Sequence, residues 1–176
     1  MGKQFEIIRE FEVEASPEQV WEAITTGTGA WLWPMEFEPK EGGAAAFGGT
    51  VTVWDPPHRL TSRTESVEGM PQQTFNQLDN VIEPREGGSW MRYVHSGIFV
   101  DDWDNQYDAA DKHTDFYLHT LRQYLLHFTG RQAVFATLDG PAAAGAPDAL
   151  DVAARALGLP EDAVQGAAVQ VRLPGA

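Results

Sequence analysis

The stretch Phe5–Ile24, FEIIREFEVEASPEQVWEAI, changes its period halfway along. Phe5, Ile7, Arg9, Phe11 and Val13 share one face of a two-residue repeat, while Glu6, Ile8, Glu10, Glu12 and Glu14 share the other. Four glutamates on one side predict a strand with one wet face, as in an antiparallel sheet. Ser16 then offers a hydroxyl to the unpaired amides of a helical first turn. Pro17 suits the first helical position, and Gln19 completes a Ser-x-x-Gln capping box. Val20, Ala23 and Ile24 recur at helical spacing with Trp21 on their flank. A half-buried strand therefore runs straight into a short capped helix.

Beyond it, Thr26–Gly29 stops and restarts a helix, and Ala30–Trp33 supplies one or two apolar turns that Pro34 ends. Met35–Glu38 reads as a short strand, Glu41–Gly43 as a turn, and Thr50–Trp54 as a strand closed by Asp55-Pro56-Pro57. His58–Ser66 is the next strand and Gly69–Pro71 the next turn. Gln73–Glu83 and Ser89–Val100 form a hairpin about Glu86–Gly88. A loop dense in aspartate (Asp101, Asp102, Asp104, Asp108) follows. From about Asp108 to Thr129 the period turns helical, with Thr114, Tyr117, Leu118, Leu121, Leu125 and Phe128 in a stripe and Gly130 as the stop. Some twenty residues at ~1.5 Å each make a rod of about 30 Å, long enough to cross a curved sheet. The order predicts an α+β fold in which one long helix lies on an antiparallel sheet and leaves a pocket between them.

Composition removes several functions. The 176 residues suit one domain plus an appendage, and a formal charge of −14 argues against nucleic acid and anionic membrane surfaces. No cysteine is present, which excludes disulfides, zinc-thiolate sites and cysteine nucleophiles and fits a reducing compartment. With neither a signal-peptide pattern nor a membrane-length apolar run, the expectation is a cytoplasmic protein. The Gly-Gly pairs at 42–43, 48–49 and 87–88 lack the spacing of phosphate-binding loops, and the aspartates after Val100 fail the calcium-loop pattern. No serine nucleophile elbow and no His-Glu-x-x-His zinc motif occurs. Neither a cofactor nor a resident metal is expected.

Several segments together carry a family resemblance. They are Ala15–Trp21 (ASPEQVW), Glu41-Gly42-Gly43, Val53–Leu60 (VWDPPHRL), Glu86–Ser89 leading into Tyr93–Gly97 (YVHSG), and Leu118-x-x-Leu121-x-x-Tyr124-Leu125. In this order and spacing the chain resembles the START-like superfamily, also called SRPBCC or helix-grip. Within it the resemblance is to the branch homologous to the C-terminal domain of the activator of the heat-shock-protein-90 ATPase. It covers roughly residues 4 to 130. It implies a helix-grip fold: a curved antiparallel sheet wrapped around a long C-terminal helix, with two short helices after the first strand. It also implies a scaffold used for lipids, polyketides, hormones and aromatic compounds, with enzymatic and chaperone-activating variants. Members of the branch often have Gly-Trp where this chain reads His113-Thr114-Asp115-Phe116, so relatives do not set the size of its ligand.

The ligand-binding candidates on this reading are Trp33, Trp54, Trp90, Tyr93, His95, Tyr117 and Tyr124, aromatic or polar groups assigned to a cavity for a small hydrophobic molecule. Tyr93 and His95, two residues apart on one strand face, could alternatively serve acid–base chemistry of a cyclase or hydrolase kind. A third reading, by resemblance alone, is a chaperone-ATPase activator, with a chaperone or a second copy of the chain as partner. Asp111, Asp115 and His119 share a helix face and could hold a metal. The stronger expectation is a solvated face whose carboxylates favour the positive end of the helix dipole. The domain boundary is expected at 130/131. Residues 131–176 form an extension with strands over 133–138 and 168–173 flanking a helix over Asp148–Leu157, whose Leu150, Ala153, Ala154 and Leu157 face inward.

Overall fold

A computed structural model describes residues 2–65, 73–131, 133–134, 139–160, 162, 169 and 171. The chain divides into two compact units, Met1–Phe135 and Ala136–Ala176.

The first unit begins with β1 (Lys3–Val13) and α1 (Pro17–Ile24). The strand buries Phe5, Ile7 and Phe11 and leaves its glutamates in water, as the two-residue repeat requires. The Ser16 hydroxyl accepts from the Gln19 amide at 3.3 Å and the Gln19 side chain accepts from the Ser16 amide at 2.9 Å, so the capping box is reciprocal. Val20, Ala23 and Ile24 are its buried face. Then come β2 (Ala44–Ala45), β3 (Gly49–Asp55), β4 (Arg59–Glu65), β5 (Gln73–Arg85) and β6 (Gly88–Phe99). They form one curved antiparallel sheet in the order β1-β6-β5-β4-β3-β2. The tight β5–β6 turn has Gly87 at φ +82, where a side chain is strained. A Cβ on Gly88 would collide with the Val13 carbonyl oxygen, so the hairpin can nest against β1 only without one.

The long helix α2 (Trp103–His127) closes the unit and buries Thr114, Leu118, Leu121, Tyr124 and Leu125. The main core joins these to Phe11, Val20, Ile24, Val51, Leu60, Ile82 and Met91. Three expectations change. The helix starts at Trp103 rather than near Asp108, because Trp103, Tyr107 and Ala110 pack on a second cluster of Phe5, Ile7 and Phe99. The Trp103 indole donates to the Gln4 carbonyl at 3.2 Å and the Lys3 ammonium sits over its ring. Ala30–Trp33 makes no apolar helical turns: one 3-10 turn covers Thr28–Ala30. Met35–Glu38 is not a strand. It belongs to a strap held by the Thr28 hydroxyl, which accepts from the Met35 amide at 2.9 Å, and by the Glu38 amide donating to the Ala44 carbonyl at 2.8 Å.

In the second unit, α3 (Ala149–Ala156) lies within the expected span, but within that unit none of its residues is buried, Leu150 included. So short a segment has too little apolar surface to enclose a face of its own. The expected strands over 133–138 and 168–173 fall largely outside the described residues, as does the Gly69–Pro71 turn. Among the described residues no helix is long and apolar enough to cross a membrane.

Candidate functional site: an uncharged groove under the long helix

Strand alternation sorts each side chain of the sheet onto an outer face or an inner face that looks toward α2. Along β6 the inner positions are Ser89, Met91, Tyr93, His95 and Gly97. Their register partners on β5 are Pro84, Ile82, Asn80, Leu78 and Asn76. Leu60, Ser62 and Thr64 of β4 stand opposite Asn80, Leu78 and Asn76, and Trp54 and Val51 of β3 follow. From β3 to β6 this face carries no Asp, Glu, Lys or Arg. Arg59, Arg63, Asp79, Glu83, Arg85 and Arg92 all fall on the outer face, where Asp79 takes Arg59 at 3.0 Å and the Thr61 hydroxyl at 2.6 Å.

The half-buried stretch of the inner face holds most of the polar groups. Burial holds the Tyr93 phenol well above its ordinary range, with Tyr117 of α2 close enough to add to the effect. Burial also pushes His95 down to about 4, so its imidazole is neutral at neutral pH. His95 Nε2 lies 2.6 Å from Asn76 Oδ1, an acceptor, so Nε2 carries the proton and Nδ1 keeps a free lone pair. The Phe5 ring meets His95 edge-on at 5.0 Å and fixes its plane. Asn80 is 9% exposed; among the described residues neither its side chain nor the Tyr93 hydroxyl makes a hydrogen bond, and solvent still reaches the polar atoms of both.

The other wall is α2 and the strap. Tyr117 meets Trp33 edge-to-face at 5.3 Å, and His113 stacks on Tyr117 at 5.8 Å. The strap places Trp33 because Trp31, two residues before it, anchors its indole to the Ala23 carbonyl at 2.9 Å. Phe47 also meets Trp33 edge-to-face at 6.3 Å. The Trp33 indole nitrogen is buried and has no hydrogen-bond partner among the described residues. The geometry thus brings Trp33 to Tyr117 and Tyr117 near Tyr93, with His95 two residues from Tyr93 on the same strand face.

Three other candidates lie elsewhere. Tyr124 is 6% exposed inside the main core. Trp54 sits edge-on to Trp21 at 5.0 Å and packs α1 onto the sheet. Trp90 occupies the outer face, opposite Glu12 and Glu83 and with the Arg85 guanidinium over its ring, because it lies three positions, an odd offset, from Tyr93. Asn76, Leu78 and Asn80 were missed, although the alternation in QTFNQLDNVIE placed them on one face with Ile82.

The acidic face of α2 is not simply solvated. Arg9, on the inner face of edge strand β1, donates to Asp115 at 2.6 Å and to Asp111 at 2.8 Å. The Asp115 bond raises the guanidinium's pKa, and Arg9 in turn holds the Asp115 carboxyl below its usual range. Among the described residues no group of three His, Asp or Glu side chains is placed to hold a metal. A wide-open depression of about 440 Å³ lies at one end of the sheet, against Gln4, Phe5, Glu6, Phe75, Ser96 and Gly97. It mixes outer-face and inner-face residues and does not include Tyr93, His95, Trp33 or Tyr117.

A six-stranded antiparallel sheet packed on one long helix, with a half-buried, uncharged stretch of its inner face beside that helix, defines a helix-grip fold of the START-like type. A sequence profile described as "Activator of Hsp90 ATPase homolog 1-like protein" matches residues 14–126, well over half of the chain, and the chain belongs to that family. The fold is similar to that of protein MLL2253 from Mesorhizobium loti, at 20% identity and a TM-score of 0.60 over 70% of this chain and 98% of that one. It is also similar to the Aha1 dimer from Colwellia psychrerythraea, at 20% identity and a TM-score of 0.51 over 69% of this chain and 96% of that one. CalU16 from Micromonospora echinospora matches at 18% identity and a TM-score of 0.54 over 70% of this chain and 76% of that one. At such identities the likeness is one of fold. No curated protein matches the chain.

Proposed function

We propose that this protein binds a small, largely apolar organic molecule, without transforming it, between the inner face of β4–β6 and α2. The observation that carries the reading is the row of uncharged side chains on that face, walled by Trp33 and Tyr117, in which Asn80 and Tyr93 make no side-chain hydrogen bond among the described residues. Polar groups that water reaches in the free protein need partners once a ligand covers them, and a ligand with a polar group supplies them. The groove is more polar than the aromatic lining expected from sequence.

An enzymatic use of Tyr93 and His95 is less well supported. A general base works best with a pKa near the operating pH, and His95 lies near 4, with the neutral amide of Asn76 rather than a carboxylate as its hydrogen-bond partner. The chaperone-activating reading rests on family membership, and no surface feature described above favours it.

Native mass spectrometry of the purified full-length chain should find a bound small molecule, and neutral aromatic compounds should raise its melting temperature. Tyr117→Ala should remove most of that gain, while Trp90→Ala, on the other face, should leave it intact. The reverse pattern would contradict the site.

A further inference from the structure

The groove's charge and hydrogen-bonding pattern specify a ligand class, on the premise that the groove is the binding site just proposed. We infer that the ligand is uncharged and carries a group able both to donate and to accept a hydrogen bond, as a phenolic or alcoholic hydroxyl does, and that carboxylates, phosphates and ammonium compounds are rejected.

Rejection of charge follows from what surrounds the space. No ionised side chain from β3, β4, β5 or β6 faces it. The strap contributes Met35 and Phe37 on the side away from solvent, while Glu36 between them is exposed. The inner-face charge of β1, Arg9, is already committed to Asp111 and Asp115, and Arg122 of α2, over the Phe11 ring, is a second cation near Asp115. An anion entering the groove would lose its hydration with no cation on the sheet wall of β3–β6 to receive it, the nearest cations, Arg9 and Arg122, being grouped with Asp111, Asp115 and the Phe11 ring. The protein's charge of −14 adds a long-range repulsion. A cation has the long-range field in its favour but finds no carboxylate on the inner wall, since both aspartates are held by Arg9.

The demand for a hydroxyl follows from the atoms left over. His95, with its proton on Nε2 facing Asn76, presents Nδ1 as an acceptor. The Asn80 amide, on a residue 9% exposed, offers donors as well as an acceptor to solvent or a ligand, and the Tyr93 hydroxyl offers one of each. A purely hydrocarbon ligand would seal these groups from water and leave them unpaired, whereas a hydroxyl can answer an acceptor and a donor together. A site built this way discriminates against an analogue lacking the hydroxyl more strongly than an apolar pocket discriminates by size.

A matched series tests the inference: naphthalene, 2-naphthol, 2-naphthoate and 2-naphthylmethylammonium, measured by equilibrium dialysis against the full chain at neutral pH. The expected result is that 2-naphthol binds at least about tenfold more tightly than naphthalene, and that both charged compounds bind more weakly than naphthalene. Asn80→Leu should erase the preference for naphthol while leaving naphthalene affinity within about twofold, a split that general damage to the fold would not produce. Naphthoate or the ammonium compound binding as tightly as naphthol would overturn the inference while leaving the groove a binding site. So would equal affinity for naphthol and naphthalene. If none of the four binds, the proposed function falls and the inference falls with it.

Discussion

Leu121→Ala is expected to lower the stability of the first unit by about 2–5 kcal/mol, which for a chain of this size is a fall in Tm of roughly 5–15 °C. Leu121 is 1% exposed and belongs to the cluster in which α2 meets Val20 and Ile24 of α1 and Ile82 and Met91 of the sheet. Removing three carbons there takes away transfer free energy and leaves a void that α1, α2 and the sheet would have to collapse around. Phe116, five residues earlier on the same helix, is 63% exposed, so Phe116→Ala should change stability by no more than about 0.5 kcal/mol. Urea titrations of the two variants check the contrast. Equal losses would mean that α2 is not seated on the sheet as described.

The second large effect is a dependence on pH. His95 is neutral in the fold down to about pH 4, whereas in the unfolded chain it takes up a proton near pH 6.5. Its folded value is depressed, so as pH falls through this window the unfolded state binds the extra proton and stability declines. The penalty is absent above the unfolded value, grows between about pH 6.5 and about pH 4, and is complete below that, at about 3 kcal/mol. Burial is the cause, and no carboxylate shares the inner wall of β3–β6 to offset it. His95→Phe removes the titration, so the stability difference between wild type and variant should shrink or reverse as the solution is acidified across this window. A difference that stays constant would place His95 in water rather than in the groove. Asp115 acts in the same direction at lower pH: its carboxyl is held below the ordinary range by Arg9, so that contribution is present at neutral pH and disappears as the carboxylate is protonated. Asp115 is largely exposed, so its share is small.

Much of the container was legible because its signals are local. The Ser16–Gln19 box, the period change after Val13 and the Leu118–Leu121–Leu125 stripe each predict an element from a few neighbouring residues, and each element is found. The start of α2 was hidden because four aspartates after Val100 read as a loop, while Trp103, Tyr107 and Ala110 already kept helical spacing with Thr114. The site was legible only in part. Tyr93 and His95 followed from strand alternation, and the same alternation excludes Trp90 and admits Asn76 and Asn80 once the strand is counted residue by residue. The Arg9 bridge to Asp111 and Asp115 spans about a hundred residues, and no periodicity reports which strand a helix will lie across. Nor could sequence show that Trp33 would meet Tyr117, since a strap without regular structure places it.

The central claim is that a small neutral molecule occupies the inner face of the sheet beneath α2. The most direct measurement is a nitrogen–proton correlation NMR spectrum of the labelled full-length chain, titrated with 2-naphthol. The account predicts that the largest shifts fall on the amides of Leu78, Asn80, Tyr93, His95 and Tyr117 and on the Trp33 indole N–H, with Trp90 and Arg92 little moved. Shifts centred on the Trp90 face or on the depression beside Phe75, or no saturable shifts at all, would contradict it.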